Sequence, residues 1–289
     1  GLLKSTEAKE STKQSVEREQ THVAVKRQLD AVRQMAETTP ALAEFTDDLA
    51  GLEKLSGGKL ERPTDIRHEA VKKIDKLEDV VKQKLAGEKY EAVPEMRKLL
   101  RGLKSPSSAE APTEKLNQAL SKGDFKAAKE EVQALREQLA TLKSEEDKEL
   151  VEKMSKQLAD LAKQLEQLAK DEQLTQKLEQ LGIKKEDLER MLEKLSKADL
   201  DQLKKQLEEK GLSQQQIEKM AKQLQQRQAA GATAKKLAKA MKQSASASQA
   251  GQTSEAIEGL QQAGEQLSEL EQLEQEMNEL DATASALQD

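Results

Sequence analysis

From position 151 to 168 the apolar residues recur at alternating steps of three and four: Val151, Met154, Leu158, Leu161, Leu165 and Leu168. On an α-helix that spacing draws a single stripe, and it matches the a/d seam of a coiled coil. Lys, Glu and Gln fill the positions between, residues that favour helix and keep the other faces wet. The pattern dominates 144–181, the stretch around which the chain is organised. Ser144, with Asp147 three residues on, is placed as a capping box, and Gly182 as a left-handed stop. As one rod the stretch would be roughly 55 Å long, too long for one small globule to cover. It calls for partner helices, from this chain or another, so these six residues form the candidate interaction seam.

Upstream the periodicity is weaker. Residues 1–38 predict a helix whose second half carries Val25, Leu29, Val32 and Met35, broken by Thr38-Thr39-Pro40. A short helix over 41–55 ends at Ser56-Gly57-Gly58. Thr64 is a candidate N-cap for a helix marked by Ile66, Val71, Ile74, Leu77, Val81 and Leu85, closing at Gly87. A further helix over 90–103 contains Pro94, tolerable only in the first turns. The stretch 104–112, KSPSSAEAP, reads as a linker. The expected layout starts with an N-terminal helical region over 1–104 and a linker at 105–112.

The central region, 113–242, opens with a short helix over 113–120, a turn at Gly123-Asp124 and a helix over 125–142. The stripe Val132, Leu135, Leu139, Leu142 is out of phase with Val151, which predicts a turn near 143–144. An internal repeat follows at an offset of 29: 182–195, GIKKEDLERMLEKL, against 211–224, GLSQQQIEKMAKQL. Gly182/Gly211, Ile183/Leu212, Leu188/Ile217, Met191/Met220 and Leu195/Leu224 correspond. Between the copies, Ser196 and Asp199 form a second capping-box pattern. The stretch 243–253, QSASASQAGQT, reads as a flexible low-complexity linker. The last region, 254–289, predicts an acidic helix with Leu260, Leu267, Leu270, Leu273, Met277 and Leu280. Gly259 and Gly264 inside it each cost about 1 kcal/mol relative to Ala, so it depends on packing.

A second pattern, Gly-x4-Ala-x3-apolar-x2-(Leu/Ala), occurs at Gly87-Ala92-Met96-Leu99, Gly123-Ala128-Val132-Leu135 and Gly251-Ala256-Leu260-Ala263. The middle copy, ALSKGDFKAAKEEVQAL, resembles the second helix of a tetratricopeptide repeat, with Phe125 where that family favours an aromatic. The family's first helix has no match, and the copies lie 36 and 128 residues apart rather than at the family's regular period. The resemblance implies helical hairpins of related packing, not a peptide-binding solenoid.

Composition fixes the class. With no Trp, two Phe and one Tyr in 289 residues, thin seams of Leu, Ala, Val and Met must supply the cores. The expectation is an all-α fold, elongated, made of antiparallel helical hairpins with coiled-coil segments. The absence of Cys removes disulfides, thiolate nucleophiles and zinc–thiolate sites. No apolar run approaches the roughly 20 residues of a membrane span. The Gly-Leu-Leu start, without Met, is read as that of a processed or excised piece.

Charge is unevenly placed. Residues 243–289 contain ten acids and no Lys or Arg, whereas 219–242 hold Lys219, Lys222, Arg227, Lys235, Lys236, Lys239 and Lys242 with no acid. These seven form the candidate basic face. The simplest expectation folds the acidic helix antiparallel onto it, so that each neutralises the other.

Little points to chemistry. LSGG at 55–58 looks like the signature sequence of ABC-type ATPases. A phosphate loop around Lys59 would need Gly at 53 and Ser or Thr at 60, where the chain has Glu53 and Leu60. His22 and His68 fall on different predicted helices and belong to no HExxH. No catalytic residue, cofactor site or metal site is assigned. Base stacking lacks aromatics, so no nucleic acid is expected. The reading is a non-enzymatic structural or interaction protein, a scaffold, spacer or adaptor. The expected partners are protein helices, of this chain's own copies or of another protein, with a homo-oligomer as one of the expectations. The alternatives are a peripheral membrane protein using the basic amphipathic stretch 232–241, or a chaperone-like helical clamp.

Overall fold

The structure is a computed structural model that describes residues 63–105, 111–142, 145–170 and 172–288, with scattered positions between 9 and 43. Among the described residues every regular element is helical and there is no strand. The helices are α1 (Pro63–Leu85), α2 (Glu88–Leu100), α3 (Glu114–Ser121), α4 (Phe125–Thr141), α5 (Lys148–Ala169), α6 (Glu172–Gln180), α7 (Lys185–Glu193), α8 (Lys197–Glu209), α9 (Gln214–Gln249) and α10 (Thr253–Gln288). The LSGG stretch, Ser144 and His22 lie outside the described residues, as do most of 1–38 and all of the expected helix over 41–55 except Ala43.

The chain divides into two compact units, 1–90 with 274–289, and 91–273. In the first, α1 buries Ala70, Ile74, Leu77 and Val81, a stripe at steps of four, three and four. Val71, expected on that face, is 56% exposed because the stripe passes through its neighbour Ala70. Pro63 is the first helical residue, so Thr64 lies inside the first turn rather than capping it. The end of α10 runs antiparallel to this unit's α1 and buries Leu280, Thr283, Ala284 and Leu287. Gln288 Nε2 donates to Glu78 Oε1 at 2.8 Å, and the Tyr90 hydroxyl donates to Glu276 Oε2 at 2.9 Å.

The second unit corrects several expectations. The 105–112 stretch separates no domains, because residues on both sides of it belong to this unit. Both its flanks are tied to α5: Lys104 N donates to Gln164 Oε1 at 2.9 Å, and Thr113 N and Oγ1 donate to Gln157 Oε1. Pro94 is the seventh residue of α2, past the first turn, so the Tyr90 carbonyl receives no helical bond from it. The 144–181 rod is broken: α5 starts after a single 3-10 turn at Glu145–Asp147 and stops at Ala169. A continued seam would need apolar residues at 172 and 175, which are Glu172 and Thr175. The next leucine, Leu174, starts a new stripe on α6.

The 243–253 linker is not a linker. α9 continues to Gln249 with Ser244, Ala245, Ala247 and Ser248 buried, and only Ala250–Gln252 turn. The Ser/Ala alternation that reads as low complexity is a helix face made for close approach. Downstream of α5, α6 to α8 and the start of α9 enclose one core of Leu174, Leu178, Ile183, Leu188, Met191, Leu203, Leu207, Ile217, Met220 and Leu224. Gly182 and Gly211 take φ of +89° and +85°, and each lets the next amide reach back five residues, Ile183 N to Leu178 O and Leu212 N to Leu207 O. Ser196 and Asp199 form their capping box, and Ser213 with Gln216 forms another. Of the glycines in the hairpin pattern, Gly123 and Gly251 have positive φ and Gly87 does not.

Candidate interaction surface

The α5 stripe meets α9 of the same chain. Ser155 Oγ donates to the Ala245 carbonyl at 2.7 Å, and a methyl group placed on Gly231 would lie 3.0 Å from the Ala169 carbonyl oxygen. Fourteen residues forward on α5 are thus matched by fourteen back on α9, an antiparallel register. Halfway along, Ala162 faces the level of Ala238, and both are buried. A small residue every seventh position on each helix lets the backbones approach closely, and the leucines beside them are buried. Met154, Leu158, Leu161 and Leu165 are at most 2% exposed, and Val151 and Leu168 are half-buried. Leu168 lies against Gly102. The expected interaction seam is therefore consumed inside the chain.

The basic face is also placed differently from expectation. α9 and the start of α10 do run antiparallel, but their contact is made by small residues. Ser244 Oγ donates to the Ala256 carbonyl at 2.8 Å, and Gly259 faces Ala240 and Ser244. The ion pairs go elsewhere. Lys222 meets Glu91 at 3.1 Å and Arg227 meets Glu95 at 3.8 Å, both on α2, while Glu271 of α10 meets Lys129 of α4 at 3.3 Å. Lys219, Lys235, Lys236, Lys239 and Lys242 make no ion pair among the described residues. Lys236, Lys239 and Lys242 form a narrow exposed stripe, with Leu237, Ala238 and Met241 turned inward. Helices that touch at Ala, Gly and Ser leave long side chains no room between them, so the charges cannot mediate this contact.

An apolar trough remains open between α6 and α9. Lys177, Gln180 and Leu181 at the end of α6 face Leu212, Gln216, Lys219, Met220 and Gln223 across a cavity of about 460 Å³. Met220 is the buried floor, and Leu181 and Leu212 are half-buried walls. Lys177 and Gln223 are shared with a second cavity of about 290 Å³, lined also by Lys98, Gln173 and Arg227. Those last three line a third, of about 620 Å³, bordered by Leu168, Lys170 and Glu172. The spacing of leucines alone does not reveal this trough. Its one sequence signal is the repeat, since Leu181 precedes Gly182 and Leu212 follows Gly211.

Among the described residues no cluster of His, Asp or Glu is arranged to hold a metal ion, and no helix is long and apolar enough to cross a membrane. His68 is exposed on α1. No family model, curated protein or solved structure matches this chain.

Proposed function

We propose that this is a non-enzymatic interaction protein, a scaffold or adaptor acting through helix–helix contacts, with the trough between α6 and α9 as its docking face. The observation that supports this is the contrast between two apolar surfaces. The long leucine seam is closed by the chain itself, whereas Leu181, Leu212 and Met220 line a trough with space in front of it. Grooves of this kind receive the apolar face of an amphipathic helix. Methyl-labelled protein tests the reading. Synthetic amphipathic helical peptides should shift the Leu181, Leu212 and Met220 methyl resonances and leave those of Leu158 in place. If no such peptide of either charge shifts them, the reading fails. The lipid-surface alternative gains no support from 232–241, because Ala234, Leu237, Ala238 and Met241 are packed inward and only lysines face out.

A further inference from the structure

Resting on that reading, we infer that the α6/α9 trough selects an amphipathic helix with acidic flanks, supplied by a different polypeptide. Lys177 stands on one wall and Lys219 on the other, both exposed and neither in an ion pair among the described residues. No acid lines this cavity, although the chain as a whole carries a net charge of −6. The nearest acid in sequence to Lys219, Glu218, is engaged by Lys204 at 3.3 Å. Two exposed lysines in the lining of an apolar trough suit carboxylates that flank an apolar stripe. Gln180, Gln216 and Gln223 add neutral amides that bond carboxylate or backbone without repelling either.

The dimensions favour a helix. From Gln216 to Gln223 the α9 wall extends about 10 Å at 1.5 Å per residue, two turns of an occupant. Both walls are helices whose backbone groups are already paired internally, so the trough offers no edge for an added strand. The flexible Met220 floor adapts to the side chains that enter. This chain's own acidic helix is not a candidate occupant, because Leu260, Leu267 and Leu270 of α10 are at most 4% exposed in its own fold. A second copy brings the same covered helix.

The test uses the full chain and two fluorescein-labelled synthetic peptides with the same leucine stripe, one flanked by Glu and one by Lys, followed by anisotropy at low salt. Two exposed ion pairs predict about tenfold tighter binding of the Glu peptide. The double variant Lys177→Glu/Lys219→Glu, at two exposed positions, should keep its helical circular dichroism and reverse the preference. Equal binding of both peptides would overturn the acidic selectivity while leaving a helix-binding trough. Binding of neither would overturn both readings.

Discussion

Gly259 of α10 lies on the backbone of Ser244 in α9: a methyl group at Gly259 would sit 2.8 Å from the Ser244 amide nitrogen and 2.9 Å from the Ala240 carbonyl oxygen. Backbone atoms cannot rotate away as a side chain can. Gly259→Ala should therefore push the two helices apart, at a cost of about 1–3 kcal/mol. Gly264, a turn further on, has only Val132 Cγ1 nearby, at 3.6 Å. There Ala fits, and the gain in helix propensity is about 1 kcal/mol. Urea unfolding of the two variants should move the midpoint in opposite directions; shifts of the same sign would mean that α9 and α10 do not touch at Gly259.

Leu161→Lys places an unpaired charge at a position 2% exposed between α5 and its neighbours. The expected loss is about 3–5 kcal/mol. Because the seam is closed within one chain, the lowered melting temperature should not depend on protein concentration. A melting point that recovers as concentration rises would place the partner helix on another molecule.

The four exposed carboxylates Glu255, Glu258, Glu265 and Glu269 make no ion pair among the described residues. Changing all four to Gln should leave stability within about 0.5 kcal/mol, since surface substitutions away from packing contacts do little. A large drop in the urea midpoint would mean that charge holds α10 to α9.

Asp199 accepts hydrogen bonds from the Ser196 hydroxyl and amide and from Arg190, which hold its carboxyl below the usual range, the Ser196 bonds most strongly. A depressed folded pKa means that its stabilisation is fully present above the ordinary Asp value. It is lost as pH falls through the lower folded value. The stability advantage of the native chain over Asp199→Asn should accordingly shrink when urea midpoints are compared from pH 7 down to pH 3. A gap that stays constant over that range would show that the charge contributes nothing to the cap.

The α5 stripe and the helices around it were legible because leucine spacing reports burial directly. Leu158 and Leu165, one heptad apart, are both fully buried. The partner of that stripe was not legible, since α9 carries Ala, Gly and Ser on two faces and so shows no single apolar side. Its 243–249 end looked like a linker for the same reason. A serine exposes its hydroxyl in an unstructured chain but, in a tight helix pair, bonds across the contact, as Ser155 and Ser244 do. Charge misled in the other direction. Opposite net charges on α9 and α10 suggested direct pairing, whereas Lys222, Arg227 and Glu271 find counter-charges on α2 and α4, which no count along the sequence reveals.

Where α5 meets α9 and α9 meets α10 most closely, the touching residues have almost no rotamers to lose. Ordering Gly231, Ala238, Ala245, Ala256 and Gly259 sacrifices backbone freedom but essentially no side-chain entropy. Each also hides little apolar surface, so exposing it on unfolding adds little to the heat capacity difference between the two states. A smaller heat capacity change flattens the curve of stability against temperature. The close-packed seams of this unit therefore vary less in strength between cold and heat than an equal number of buried leucines would.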